Sequence, residues 1–223
     1  MTESLIAIYD ALPYILKGSA VTVGLVGGAM LLGLILGIFL AVGQVYGSDR
    51  IRPVIGLYIW FFRGVPLLVL LFLFYFGLFP LLNINLSAFT VAVMVLGLIS
   101  AAYQSQILRG AILSLPVGQL KAARAIGMSD RRSIMHIILP QALRLSIPGW
   151  SNEYSIVLKD SAVAYALGVM EIMARAHFVA SRTYEHLPLY FTAGIIFLTL
   201  TYAGTKGLRI LEEKVRIPGY STR

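Results

Sequence analysis

Residues Ser19 to Val45 carry no formal charge, and this run restricts the chain more than any other feature. About 20 mostly apolar residues suffice for a helix to cross the hydrocarbon core of a bilayer. In lipid the backbone must satisfy its own hydrogen bonds, so a segment of this kind is a helix. Four further apolar stretches follow, at about 54–82, 86–108, 145–170 and 187–211. The prediction is an all-α membrane protein with five transmembrane helices, the whole of 1–223 forming one transmembrane domain. Hydrophobic residues make up 58% of the chain and charged residues 13%, too few charges to cover a soluble domain of 223 residues. Cysteine is absent, which excludes a disulfide framework and a thiolate metal site.

Residues 1–18, MTESLIAIYDALPYILKG, read as a short interfacial helix before the first span. Glu3 and Asp10 stand where a cleavable signal needs a basic start, and Pro13 interrupts the run. Five spans put the termini on opposite sides. Fourteen of the 18 lysines and arginines fall on the side that holds the connection 109–144 and the tail 212–223. Only Lys17, Arg175 and Arg182 fall on the other, and Lys159 lies within a span. The bias predicts a cytoplasmic C-terminus, with the N-terminus and the connection 171–187 outside. The net charge of +8 reflects this asymmetry and no nucleic-acid partner, because no basic domain interleaved with aromatics is present.

The connection 116–140 is an amphipathic island between two apolar runs. Pro116 opens it, and Gln119 to Ile126 can form two helical turns. Gly127 is a suitable helix stop. Ser129 is an N-cap for a second short helix through Leu139, and Pro140 marks its exit. Ala122, Ala123 and Ala125 permit close approach by a partner. Ile126, Met128, Ile134, Ile137 and Ile138 are expected to anchor the segment beneath the spans. A plain solvated loop needs no alanine pair, glycine break and proline bounds at this spacing.

The spacing resembles the cytoplasmic signature loop of binding-protein-dependent ABC importers. That pattern is Glu-Ala-Ala, three residues, Gly, nine residues, Ile, one residue, Leu-Pro. Here Ala122 and Ala123 are followed by Gly127, Ile137, Leu139 and Pro140 at the same intervals, with Lys121 in place of the glutamate. Three further segments resemble the polar amino-acid permease branch (histidine/glutamine/arginine type). They are FFRGVPLLVLLFLFYFGL (61–78), AAYQSQILRGAILSLPVGQ (101–119), where Gln106 replaces a glutamate, and LPQALRLSIPGWSNEYSIVLKDSAV (139–163). The resemblance covers roughly 15–213. It implies a type I ABC importer permease fold with a cytoplasmic coupling helix, in a prokaryotic inner membrane. It also implies paired permeases (two copies or a sister chain), two cytoplasmic ATPases that bind ATP and magnesium, and an external solute-binding protein. Lys121, Ala122, Ala123, Gly127, Arg131, Ile137, Leu139 and Pro140 are the candidate ATPase-coupling residues.

The residues read independently agree. No GxxxxGK[ST] loop is present, so the chain cannot itself cradle ATP phosphates. No His, Asp and Glu cluster offers metal or acid–base chemistry, and His136, His177 and His186 read as surface residues. The chain reads as a translocation subunit, with no cofactor of its own and no enzymatic activity. Its energy must come from another polypeptide.

The fourth span carries the candidate substrate site. Charges inside a bilayer need partners or a wet cavity. Glu153 and Asp160 are seven residues apart, so a helix returns them to nearly one face, about 10 Å apart along its axis. Asn152, Ile156 and Val157 lie on or beside that face. Such carboxylates suit the ammonium groups of a cationic amino acid. The alternative is a structural charge network in which Lys159 pairs with Asp160 or Glu153. Gln104 and Gln106 do not share a face, so one is expected to line the cavity while the other binds a neighbouring helix. Gly24 and Gly28, then Gly33 and Gly37, permit close packing with a partner that spacing does not identify. Arg63-Gly64-Val65-Pro66 breaks the second span near its inner end, and Arg63 either snorkels to the interface or gates the path.

Two other classes compete. A secondary transporter driven by an ion gradient would show inverted repeats and more helices, and no internal repeat is evident. A non-transporting scaffold or sensor explains the loop but not the carboxylates.

Overall fold

The computed structural model describes residues 2–215, with side-chain surroundings from Ile8 onward. Met1 and residues 216–223, which include most of the expected tail and two of the counted arginines, lie outside it. All regular structure among the described residues is helical.

Helix α1 runs from Thr2 to Tyr46 through Pro13 without interruption. The expected joint between a separate segment 1–18 and the first span is therefore absent. Ala11 and Ile15, on either side of the proline, are buried against Ile172, Ala176, Ala180 and Leu189. That packing holds both flanks of Pro13 in one helix. At 45 residues, α1 is about 68 Å long, more than twice the hydrocarbon thickness.

The second apolar stretch is not one helix. α2 (Ile51–Gly64) ends at Val65, and the chain turns by 106° into Leu67–Leu81. The break falls at the Arg63–Pro66 motif. Pro66 cannot donate a backbone bond and forces Val65 into extended conformation, φ −92° and ψ 133°. Beyond it lie α3 (Leu67–Phe72), a π-helical stretch (Leu73–Leu78) and α4 (Phe79–Leu81).

Helix α5 (Ala88–Ser114) starts at Ser87, whose Oγ accepts the Thr90 N–H at 3.1 Å. Its neighbour is α1. Gly24 faces Phe89, Gly28 faces Val93, Gly33 faces Ser100 and Gly37 faces Gln104. The pairs advance together, so α1 and α5 run in the same direction. The glycine faces thus have their partner.

The loop and the fourth apolar stretch form one interrupted helical path. α6 (Gly118–Ala125) turns into α7 (Asp130–Ser133), a π turn (Ile134–Ile138) and α8 (Leu139–Leu145). α9 (Ile147–Asp160) and a 3-10 segment (Ser161–Leu167) complete it. Three expectations are corrected. The second coupling helix does not stop at Pro140: the path widens to a π turn ahead of the proline and continues. A π turn accommodates a ring that would clash with the preceding turn of an α-helix. Ser129 occupies the cap position, but its side chain makes no cap bond. The fourth span is likewise no continuous helix over 145–170, because Pro148 starts α9 and the α-helix ends at Asp160.

α10 (Ile172–Thr183) is capped by the buried Glu171, whose carboxylate accepts the N–H groups of Met173 and Ala174 at 2.9 and 2.6 Å. α11 (His186–Val215) returns along α9. Tyr154 donates to the Leu200 carbonyl at 2.9 Å, while Val157 and Leu158 pack with Phe197 and Leu200. These pairings run in opposite order, so α9 is antiparallel to α11. It is also antiparallel to α5, where Glu153 meets Ser100 and Gly149 meets Ile107. By length and apolarity three helices can cross a membrane, or four with the bent pair. Five uninterrupted spans are not what the chain builds.

The α1 contact with the start of α10 is tight. A β-carbon at Gly18 would lie 2.7 Å from the Ile172 nitrogen and 2.8 Å from the Glu171 carbonyl carbon. Backbone atoms cannot rotate away. Gly18→Ala is expected to lower stability by about 1–3 kcal/mol, read as a lower melting temperature in detergent. An unchanged melting temperature would show that this junction is loose.

Candidate substrate cavity and coupling loop

Helix α9 turns one face toward the α2–α3 break and α5. Glu153, Ile156, Val157 and Asp160 meet Phe62, Arg63, Val65 and Leu67 there, with Leu96, Ile99 and Tyr103 opposite, around a cavity of about 130 Å³. The seven-residue spacing therefore does bring both carboxylates to one space. Glu153 is 2% exposed. Ser100 Oγ donates to its Oε1 at 2.7 Å, and Gln104 Nε2 donates to Ser100 Oγ at 3.0 Å and to the Met30 carbonyl at 3.1 Å. This relay fixes one oxygen of Glu153 from behind. Arg63 lies 4.7 Å from the centre of the Tyr103 ring, a cation–π arrangement that holds the guanidinium beside the cavity. It does not simply snorkel away.

Several expected roles change. Gln104 is buried behind the cavity and does not line it. Gln106 does bind a neighbouring helix, donating to Gln44 Oε1 at 2.8 Å. Asn152 is exposed and outside the lining, because one residue rotates the helix by about 100° from Glu153. Gly64 ends α2 and Pro66 makes the break, but only Val65 between them lines the space. Lys159 is exposed. Among the described residues the ion pairs are Arg52–Asp49 and Arg124–Asp130, so the network of Lys159 with Glu153 or Asp160 is not formed. Ser100 and Tyr103 were not singled out from sequence. The four-residue spacing of Ser100 and Gln104 was the available signal.

The loop 116–140 is held in three places. At the end of α6, Gly127 has φ +84°, where an L side chain is strained. Its N–H bonds the Arg124 carbonyl at 2.9 Å and the Met128 N–H bonds the Ala123 carbonyl at 3.0 Å, a Schellman termination. Arg124 grips Asp130 with two bonds of 2.6 and 2.8 Å. The guanidinium holds the Asp130 carboxyl below its usual range, and Asp130 in turn raises Arg124. This pair is intact above the ordinary aspartate range and is lost as pH falls through the lowered value. Gln119 and Gln141 exchange amide bonds of 3.0 and 2.8 Å, which ties α6 to α8. Sequence reading missed both ties.

Exposure divides the candidate coupling residues. Lys121, Ala122, Gly127, Arg131 and Pro140 are exposed, Ala123 and Leu139 are buried, and Ile137 is half-buried. Ile134 and Ile138 are buried and Met128 is half-buried, in keeping with anchoring. Ile126 is not an anchor: it is 78% exposed, because the Schellman turn carries it off the inner face. On the far side of the molecule, His177 and His186 approach the same Tyr190 hydroxyl at 2.8 and 3.4 Å.

A helical, apolar body with a buried carboxylate cavity and a structured basic loop defines a membrane translocation subunit. Residues 33–217 match the family model described as binding-protein-dependent transport system inner membrane component. The octopine transport system permease protein OccQ of Rhizobium meliloti is 33% identical over 210 residues, covering 89% of each chain. The arginine ABC transporter permease protein ArtQ of Haemophilus influenzae is 33% identical over 209 residues, covering 91% of this chain and 94% of its own. A crystal structure of an amino acid ABC transporter with histidines superposes with a TM-score of 0.83 at 30% identity, covering 94% of this chain and 98% of that one. An inward-facing MetNI methionine ABC transporter shares the fold at a TM-score of 0.69 and 17% identity, covering 91% of this chain and 96% of that one. The chain belongs to the binding-protein-dependent transport system inner membrane component family, in its polar amino-acid ABC importer branch.

Proposed function

We propose that the chain forms the membrane path of an importer for a cationic amino acid, with its N-terminus outside and its C-terminus in the cytoplasm of a prokaryotic cell. A second permease, either another copy or a sister chain, completes the path. An external solute-binding protein delivers the substrate, and two cytoplasmic ATPases bind ATP and magnesium and supply the energy. The observation that carries the reading is the meeting of Glu153 and Asp160 in one cavity, with neither carboxylate in an ion pair among the described residues. Two carboxylates and one guanidinium, that of Arg63, line the cavity, and this net negative lining among apolar side chains favours a positively charged guest. Relatives named for octopine and arginine transport fit the same chemistry. The exposed face of the coupling loop, with Lys121, Ala122 and Arg131, is where the ATPases engage, and Gly127 shapes it. Leu139, Pro140 and the half-buried Ile137 connect that face to α9.

Proteoliposomes containing the assembled complex provide the test. Uptake of a cationic amino acid is expected to require ATP and the binding protein and to persist when an ionophore collapses ion gradients. Uptake that needs the gradient and not ATP would favour a secondary transporter.

A further inference from the structure

At the opposite end of α9 from Asp160, a second cavity lies between Ser151 and the last turns of α11. Its volume is about 380 Å³, larger than the carboxylate cavity. Lys206 and Arg209 line it, with Tyr202, Thr205, Ile210 and Glu213. We propose that this cavity binds the phosphate of an anionic lipid headgroup from the inner leaflet.

Depth is the first argument. Lys206 lies 20 residues after His186, the first residue of α11, which is about 30 Å along the helix and matches the hydrocarbon thickness. The tyrosine level with the cavity fits the same boundary, because Tyr is enriched where headgroups begin. Charge is the second. Two cations face one carboxylate, Glu213, so the lining is net positive. Among the described residues neither Lys206 nor Arg209 joins an ion pair. The Lys206 ammonium instead lies 5.8 Å from the centre of the Tyr202 ring, which leaves its donors available to an anion. Chemistry is the third. Ser151 can donate a hydroxyl bond to a phosphate oxygen, while Ile210 and the Tyr202 ring offer apolar surface to glycerol and the first acyl carbons. A basic pocket between spans on the cytoplasmic side is suited to an anionic headgroup. The charge bias that sets the orientation makes this end cytoplasmic.

The site is separate from the carboxylate cavity, so its test does not depend on substrate choice. The purified complex would be exchanged into mixed phosphatidylglycerol and phosphatidylcholine, and retained lipid counted by native mass spectrometry. The parent is expected to retain phosphatidylglycerol selectively. Lys206→Gln with Arg209→Gln is expected to reduce that retention about thirtyfold. Lys206→Arg, which keeps the charge, is expected to retain it. Equal retention by the parent and the double glutamine variant would overturn the proposal. So would complete displacement of the lipid by millimolar inorganic phosphate, which would assign the site to a free anion.

Discussion

Replacing Gly127 with valine is expected to reduce ATP-driven uptake at least about tenfold, with loss of substrate-stimulated ATP hydrolysis. The cause is conformational, since nothing lies within 4 Å of a β-carbon placed there. A left-handed conformation costs an L residue about 1–2 kcal/mol, more for a β-branched side chain. The Schellman bonds from Gly127 and Met128 would open, and α6 would lose its fixed angle to α7. The Arg124–Asp130 clasp and the Gln119–Gln141 pair would then hold a loop of different shape. Asparagine tolerates this conformation better than valine, so Gly127→Asn should recover much of the activity. Measurement of uptake and ATP hydrolysis side by side in proteoliposomes is the check. Normal values of both in the valine variant would mean that the loop does not transmit the motion of the ATPases.

Glu153→Gln is the second large effect. Glutamine keeps the size of the side chain, and its amide oxygen can still accept from Ser100 Oγ, so the relay from Met30 through Gln104 survives. What disappears is the charge. Uptake of a cationic amino acid is expected to fall about tenfold to a hundredfold, from about 1.5–3 kcal/mol for a hydrogen bond to a charged group. Uptake of a neutral amino acid should change little. Competition between the two substrates in one vesicle preparation reads the difference directly. An equal loss for both, together with a lower melting temperature, would make Glu153 a structural residue.

Much of this could be read in the chain because bilayers impose strong patterns. Apolar run length located the long helices α1, α5 and α11, and the spacing from Ala122 to Pro140 located the loop. The seven-residue interval joined Glu153 to Asp160, since a helix repeats nearly every two turns. What escaped was set by proline and by long-range pairing. Pro140 read as an exit, yet the helix passes it through a π turn, and Pro148, inside the expected fourth span, starts a new helix; the break at Pro66 was legible, but not its turn of 106°. Tyr103 carried no signal, and Ser100 only its four-residue spacing from Gln104, because serine and tyrosine are ordinary in an apolar helix. Their importance appears only when α9 and the α2–α3 break arrive from elsewhere. Ile126 misled for a local reason: its apolar side chain suggests burial, but the left-handed residue after it turns it outward.

The interrupted helical path from Asp130 to Asp160 has a mechanical consequence. On the proposed function, the end that meets the ATPases and the end that carries Glu153 and Asp160 belong to one run of consecutive helical segments. No relay through a second element is needed to bring a torque from one to the other. In such an importer the joints at Pro140 and Pro148 would act as springs in series, and their compliance would set how much of each power stroke reaches the passenger.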